Sequence, residues 1–144
     1  MGTKRVGLAR TQALIEGLKR ELAMGGTAMT GVERIVEAKT ASFTIAAADS
    51  GKVFTNRGDG DAMTITLPDP DGSTYKGVEF FTVNYVAQQI NLTTATADTL
   101  VSVGDVTADT LRSAATGQWM RCFCDGTSWY AEPTTDGGTY TLVS

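Results

Sequence analysis

Two cysteines lie two residues apart in the stretch MRCFCDGTSWYAE, residues 120–132. Thiolates are nucleophiles and metal ligands, so this pair is the first candidate for chemistry. On a strand, residues two apart share a face. Met120, Cys122 and Cys124 then line one side, with Trp119, Arg121 and Phe123 on the other. Such a pair is poorly placed for a mutual disulfide, whose Cβ atoms must approach to about 3.8 Å. A structural zinc site needs four ligands, and the chain has two cysteines and no histidine. The spacing therefore predicts buried free thiols that resist labelling. Asp125-Gly126 reads as a hairpin turn, with Trp129-Tyr130 opening the returning strand.

Carboxylates are the next candidates. Asp59, Asp61, Asp69 and Asp71 could supply an oxygen cage for calcium. They lack the spacing of a helix–loop–helix calcium loop and its bidentate glutamate. Arg57-Gly58-Asp59 is a tripeptide that some cell-surface receptors read, although a Gly/Asp cluster between strands is first of all a turn. With ten Asp and six Glu, a hydrolytic pair at about 5–9.5 Å would be easy to find by chance, and no motif selects one. No phosphate-binding glycine loop or dinucleotide fingerprint occurs. Trp119, Phe123, Trp129 and Tyr130 could stack sugars or bases, but beside a hairpin they read as core or interface. The expectation is no catalytic residue, no cofactor and no metal.

The rest of the chain must be a scaffold for contacts. Its 144 residues are the size of one ordinary domain, with 42% apolar and 19% charged residues. Threonine, 23 of the 144, suits strand faces that meet water. Absence of histidine removes the commonest general base and the commonest nucleophile partner. The net charge of −4 disfavours nucleic acid. It is split: residues 1–22 carry +3 and the remainder −7. No run is apolar and long enough to span a bilayer, and none reads as a secretory leader. A reducing cytosol is the expected site of synthesis.

Residues 4–22 read as an amphipathic helix, with Thr3 as N-cap and Gly25-Gly26 as stop. Leu8, Ile15, Leu18 and Leu22 form its apolar stripe, while Arg10, Lys19 and Arg20 lie largely off it. Either the helix packs on its own sheet or it docks onto a partner. Thereafter the period becomes two. Candidate strands cover 32–38, 42–56 with a turn at Asp49-Ser50-Gly51, and the segment 62–72, where Met63, Ile65 and Leu67 face one way, Thr64 and Thr66 the other, and Pro68 and Pro70 end the strand. The segment 78–87 is apolar on both faces, Phe80 on one and Phe81, Val83 and Tyr85 on the other. It is either covered twice or meets another subunit. TADTL occurs at 96–100 and again at 107–111, marking two similar strand starts. The expected fold is mainly β, an antiparallel sandwich or jelly roll over 27–144 preceded by a helical arm over 1–26.

The order FTIAAADSGKVFTN, MTITLPDPDGSTYKGVEFFTVN, INLTT and CDGTSWY resembles the small β-domains of tailed-bacteriophage virion proteins, in tail fibres and head-decoration (cement) proteins. It covers roughly 42–131. The resemblance implies a non-enzymatic virion component, commonly a homotrimer, made in the host cytoplasm and carried on the particle surface. A compact domain with one basic helix fits a decoration protein that binds the major capsid protein or neighbouring virion subunits and stabilises the shell. The alternative is a tail-fibre or adhesin module that binds a host glycan. Expected interface residues are Leu8, Arg10, Ile15, Leu18, Lys19, Arg20 and Leu22 on the helix, with Phe80, Phe81 and Tyr85 on the sheet.

Overall fold

A computed structural model of the chain describes residues 4–23, 34–102, 104–133 and 141–143. The chain forms two compact units, Met1–Glu33 and Arg34–Ser144. The first contains one helix, α1 (Lys4–Ala23). Side chains 7–16 of α1 are described and all are exposed, including Leu8, Arg10, Leu14 and Ile15. The Thr11 hydroxyl donates to the Gly7 carbonyl at 2.8 Å, satisfying itself within the helix. The expected cap at Thr3, the stop at Gly25-Gly26 and the boundary after residue 26 lie outside the described residues. So do the side chains of Leu18, Lys19, Arg20 and Leu22.

The second unit is built of strands. They are β1 (Val36–Ala38), β2 (Phe43–Thr44), β3 (Val53–Thr55), β4 (Met63–Leu67), β5 (Glu79–Val83) and β6 (Ile90–Thr94). After these come β7 (Leu100–Ser102), β8 (Asp105–Ala108), β9 (Thr110–Ser113), β10 (Trp119–Cys124), β11 (Trp129–Pro133) and β12 (Thr141–Val143). A seven-stranded sheet runs β1-β3-β5-β10-β11-β7-β8, and a five-stranded sheet runs β12-β9-β6-β4-β2. Their inner faces share one apolar core: Phe54, Phe80, Met120 and Trp129 come from the larger sheet, Met63, Ile65, Leu67, Ile90 and Leu92 from the smaller. The mainly β, two-sheet architecture with a single N-terminal helix is the one expected.

Alternation sets which face is buried. In β4, Met63, Ile65 and Leu67 are fully buried while Thr64 and Thr66 are half-buried and point outward. A one-residue slip would put all three apolar side chains in water, at roughly 1.5–3 kcal/mol each, so the register is fixed by burial. Strand direction is where expectation and structure part. The pairing is mixed, not antiparallel throughout: β1–β3, β3–β5, β2–β4, β4–β6 and β7–β11 are parallel. From β1 to β6 the chain crosses to the opposite sheet after every strand. Each return therefore lays a strand alongside, and in the same direction as, its predecessor in that sheet. An alternating sequence reads the same in either direction, so periodicity carries no sign of this.

The turns follow local chemistry. Between β2 and β3 the chain makes one 3₁₀ turn at Ala47–Asp49, where an Asp49 carboxylate oxygen accepts the Ala46 N–H at 2.9 Å. Gly51 follows at φ +86°, the left-handed region that glycine enters without penalty. The repeated TADTL segments are used differently: 96–100 turns into β7 of the larger sheet, while 107–111 ends β8 and begins β9 of the smaller. Leu100 and Leu111 both enter the core, and the Asp98 N–H donates to the Asp109 carboxylate at 2.7 Å. At the sandwich end near β10, Gly126 has φ +96° and a methyl group there would lie 3.1 Å from the Gly72 carbonyl oxygen. The two turns 71–72 and 125–128 thus touch through backbone, and glycine is required for both reasons.

Candidate interaction surface

The stretch that opened the sequence reading folds into the β10–β11 hairpin, with Cys124 opposite Trp129 and Cys122 opposite Ala131. The Asp125 carboxylate closes the loop by accepting the Thr127 and Ser128 N–H groups at 2.7 and 2.8 Å, and the Tyr130 hydroxyl at 2.9 Å. Met120, Cys122 and Cys124 point into the core; Trp119, Arg121 and Phe123 point out. Both thiols are free and buried. Burial pushes Cys122 well above the usual thiol range, with the neighbouring Cys124 adding to it, and burial also raises Cys124. Neither is a ready thiolate. A chromogenic thiol reagent is expected to find no fast-reacting group in the native protein and both cysteines after denaturation. Rapid native labelling would contradict this packing.

The outer face of the seven-stranded sheet is the most distinctive surface. Across the strands, Val36, Val53, Phe81 and Arg121 lie in one row. Thr55, Val83 and Trp119 lie in the next. A groove of about 520 Å³ opens over these residues, lined by Arg34, Val36, Val53, Phe81, Val83 and Trp119. Trp119 is 44% exposed and Val36 65%. The Arg34 guanidinium lies over the Phe81 ring at 4.5 Å, and that of Arg57 over the Tyr85 ring at 4.0 Å. Arg121 marks the far side of the groove. It bonds Glu79 at 2.7 Å, reaches Glu132 at 3.6 Å and covers the Phe123 ring at 5.2 Å. Glu79 and then Glu132 raise the Arg121 pKa, holding it charged. Phe123 and Tyr130 stack beside it, centroids 4.9 Å apart.

The opposite outer face is different in kind. Thr64, Thr66, Asn91, Thr93, Thr110 and Arg112 line the five-stranded sheet. Thr93 and Thr110 hydroxyls bond across the strands at 3.0 Å, and Arg112 donates to Asn91 at 2.8 Å. That face satisfies its own polar groups and suits water. One sheet faces solvent with hydroxyls, and the other presents aromatic and aliphatic surface.

Of the expected interface residues on the sheet, Phe81 and Tyr85 lie on this outer face. Phe80 does not. It is fully buried, packed edge-on against Phe54 at 5.9 Å and Trp129 at 6.4 Å, because the strand alternates and its odd neighbours take the outside. On the helix, Leu8, Arg10 and Ile15 are exposed.

Two of the four acidic candidates, Asp59 and Asp71, are engaged in turns. An Asp59 carboxylate oxygen accepts the Asp61 N–H at 3.1 Å, and Asp71 accepts the N–H groups of Ser73 and Thr74 at 3.3 and 2.8 Å. Among the described residues, no group of three or more His, Cys, Asp or Glu could hold a metal ion. In the Arg57-Gly58-Asp59 segment the Arg57 guanidinium lies over the Tyr85 ring and an Asp59 carboxylate oxygen accepts the Asp61 N–H. Among the described residues no helix is long and apolar enough to cross a membrane. No protein-family model matches the chain, and no curated protein matches it in sequence.

Sequence reasoning missed a buried polar cluster at the end of the sandwich next to Tyr85. Asn56, 0% exposed, accepts the Tyr85 and Val86 N–H groups at 2.7 and 3.1 Å and donates to the Val86 and Gln88 carbonyls. Asn84 donates to the Gln88 carbonyl at 2.8 Å and accepts the Ser113 hydroxyl at 2.7 Å. The Gln118 side-chain oxygen accepts the Ala114 and Ala115 N–H groups. These side chains tie down the loops that carry Tyr85 and Trp119. The only sequence signal was amides at both strand ends.

Charged groups at the edges set the pH response. The Lys39 ammonium, then Lys52, holds Glu37 below the usual carboxylate range. Burial works against Asp49, but Lys52 and the Ala46 N–H still lower it. Thr74 lowers Asp71, and the Ser128 and Thr127 N–H groups with the Tyr130 hydroxyl lower Asp125. A depressed folded pKa contributes stability above the unfolded value, near 4, and loses it as pH falls through the folded value. Raised Cys122 acts in the other sense: its contribution is complete below about pH 8.5 and is lost as pH climbs toward the folded value. With no histidine, the melting temperature is expected to be flat from about pH 5 to 8 and to fall on both sides. A slope within that window in a circular-dichroism series would contradict it.

Proposed function

We propose that this protein is a non-enzymatic component of a tailed-bacteriophage particle, a head-decoration protein that binds the assembled shell and stabilises it. The observation that carries the reading is the unlike character of its two outer faces. A hydroxyl-lined sheet suits solvent, while the Val36/Val53/Phe81/Val83/Trp119 face suits a neighbouring protein. Exposed Leu8, Leu14 and Ile15 on a basic helix give a second adhesive element. The likeness of the FTIAAADSGKVFTN-to-CDGTSWY order to phage virion β-domains points the same way. Action by contact accords with a chain that has no histidine and whose cysteines are buried.

The mechanism is mass action. A protein that binds only the assembled lattice stabilises it by RT ln(1 + [L]/Kd), about 2.7 kcal/mol per site at a hundredfold excess over Kd. Association into a trimer would multiply this through effective concentration. Purified full-length protein is mixed with undecorated heads and sedimented. Co-sedimentation, reduced by Leu8→Glu with Ile15→Glu, supports the reading. Failure to sediment with heads, together with binding to host surface polysaccharide, would replace it by a tail-fibre adhesin.

A further inference from the structure

We infer that the groove on the seven-stranded sheet receives an extended segment of a partner protein that carries a carboxylate at each end and apolar residues between. The inference rests on the proposed contact role and names the chemistry of the partner. Its basis is charge. The unit Arg34–Ser144 holds seven Lys and Arg against thirteen Asp and Glu, so cations there have an excess of carboxylates to choose from. Lys39, Lys52 and Arg121 all take one. Among the described residues Arg34, Arg57, Lys76 and Arg112 take none, and Arg112 bonds Asn91 on the other sheet. Arg34 and Arg57 instead lie over aromatic rings, Arg34 on Phe81 and Arg57 on Tyr85.

Arg34 lines the groove, and Arg57 lies two residues past β3, beyond the other end of the same strands. Phe81 and Tyr85 are four residues apart along the same chain segment, and Val83 lies between them beside Trp119. The apolar floor is thus flanked along the strand direction by two guanidinium groups whose faces are covered by rings and whose edges remain open to donate. A guanidinium edge matches a carboxylate in bidentate fashion. Glu79 and Glu132, on β5 and β11, are already engaged by Arg121. A ligand strand with carboxylates at the two ends and apolar side chains between would meet a complementary partner at every position. At the groove's margin β1 is the terminal strand of its sheet among the described residues, so its outer backbone edge is where such a segment would pair. The basic helix of a second copy carries the wrong sign for these arginines.

The test uses the purified protein and two synthetic octapeptides, a Glu–Val peptide with Glu at both ends of a Val-rich centre and a Lys–Val peptide with Lys in place of each Glu. Binding is followed by the two tryptophan indole N–H signals in heteronuclear NMR, where the Trp119 signal should move and that of buried Trp129 should not. The Glu–Val peptide is expected to bind at least about tenfold more tightly than the Lys–Val peptide, and less tightly at high salt. Arg34→Glu with Arg57→Glu, both exposed positions, should reverse the preference while leaving the melting temperature in place. Equal binding of both peptides, binding of neither, or a preference unchanged by the double substitution would overturn the inference. So would concentration-dependent self-association that perturbs Trp119. Head sedimentation separates the two readings: if wild-type and doubly substituted proteins sediment equally, the groove is not the docking site but decoration stands. If wild type never sediments with heads, decoration falls whatever the peptides do.

Discussion

Trp129→Ala is expected to cost about 3–5 kcal/mol of unfolding free energy, measured by chemical denaturation. Trp129 is the largest fully buried side chain. It begins β11 on the inner face, between Cys124 of β10 and Leu100 of β7. Its ring meets Phe80 at 6.4 Å and Tyr75 at 5.9 Å. Its indole N–H donates to the Pro68 carbonyl at 2.7 Å. Pro68 follows β4, so this bond ties the end of the five-stranded sheet to the middle of the seven-stranded one. Truncation removes a large apolar volume and leaves the carbonyl without its donor. Trp129→Phe separates the two effects. It keeps most of the apolar surface and loses the bond, so about 1–3 kcal/mol of the cost should remain. A loss below about 1 kcal/mol for the alanine variant would mean that the ring does not hold the sheets together.

Asn56→Leu is expected to cost about 3 kcal/mol or more, although the substitution makes the core more apolar. Asn56 is fully buried and makes four bonds to the segment 85–88. Leucine would leave the Tyr85 and Val86 N–H groups without an acceptor. Each buried unsatisfied group costs about 1–3 kcal/mol. Because Tyr85 carries the Arg57 contact, hydrogen exchange at residues 84–89 should accelerate more than elsewhere. Asn56→Asp keeps the acceptor but buries a charge and loses both donated bonds. It should therefore be destabilised at neutral pH and recover in part on acidification. A leucine variant as stable as wild type would show that water replaces the amide.

Legibility in the sequence varied with the physics. Met63, Ile65 and Leu67 were readable because burial on one face imposes a period of two. The β10–β11 hairpin was readable because Asp125-Gly126 is local turn chemistry. Phe80 was not, since a strand apolar on both sides gives no sign of which face is the core. The buried amides of Asn56, Asn84 and Gln118 look like any polar loop residues until the loops they bind are in place. Arg34 and Arg57 are far apart in sequence and reach opposite ends of one sheet face only through the register of β1, β3 and β5. Strand direction was invisible because it depends on how the chain travels between sheets.

That route has a consequence for biosynthesis. In the larger sheet, β1-β3-β5 on one side and β7-β8 on the other are joined only through β10 and β11. A nascent chain emerging from the ribosome holds two unconnected fragments of sheet until residue 133 is free. Each fragment exposes the edge that the hairpin will fill, and open edges invite pairing between chains. The larger sheet therefore closes in one late step, and a stop codon anywhere before residue 119 should yield aggregate and no shortened domain.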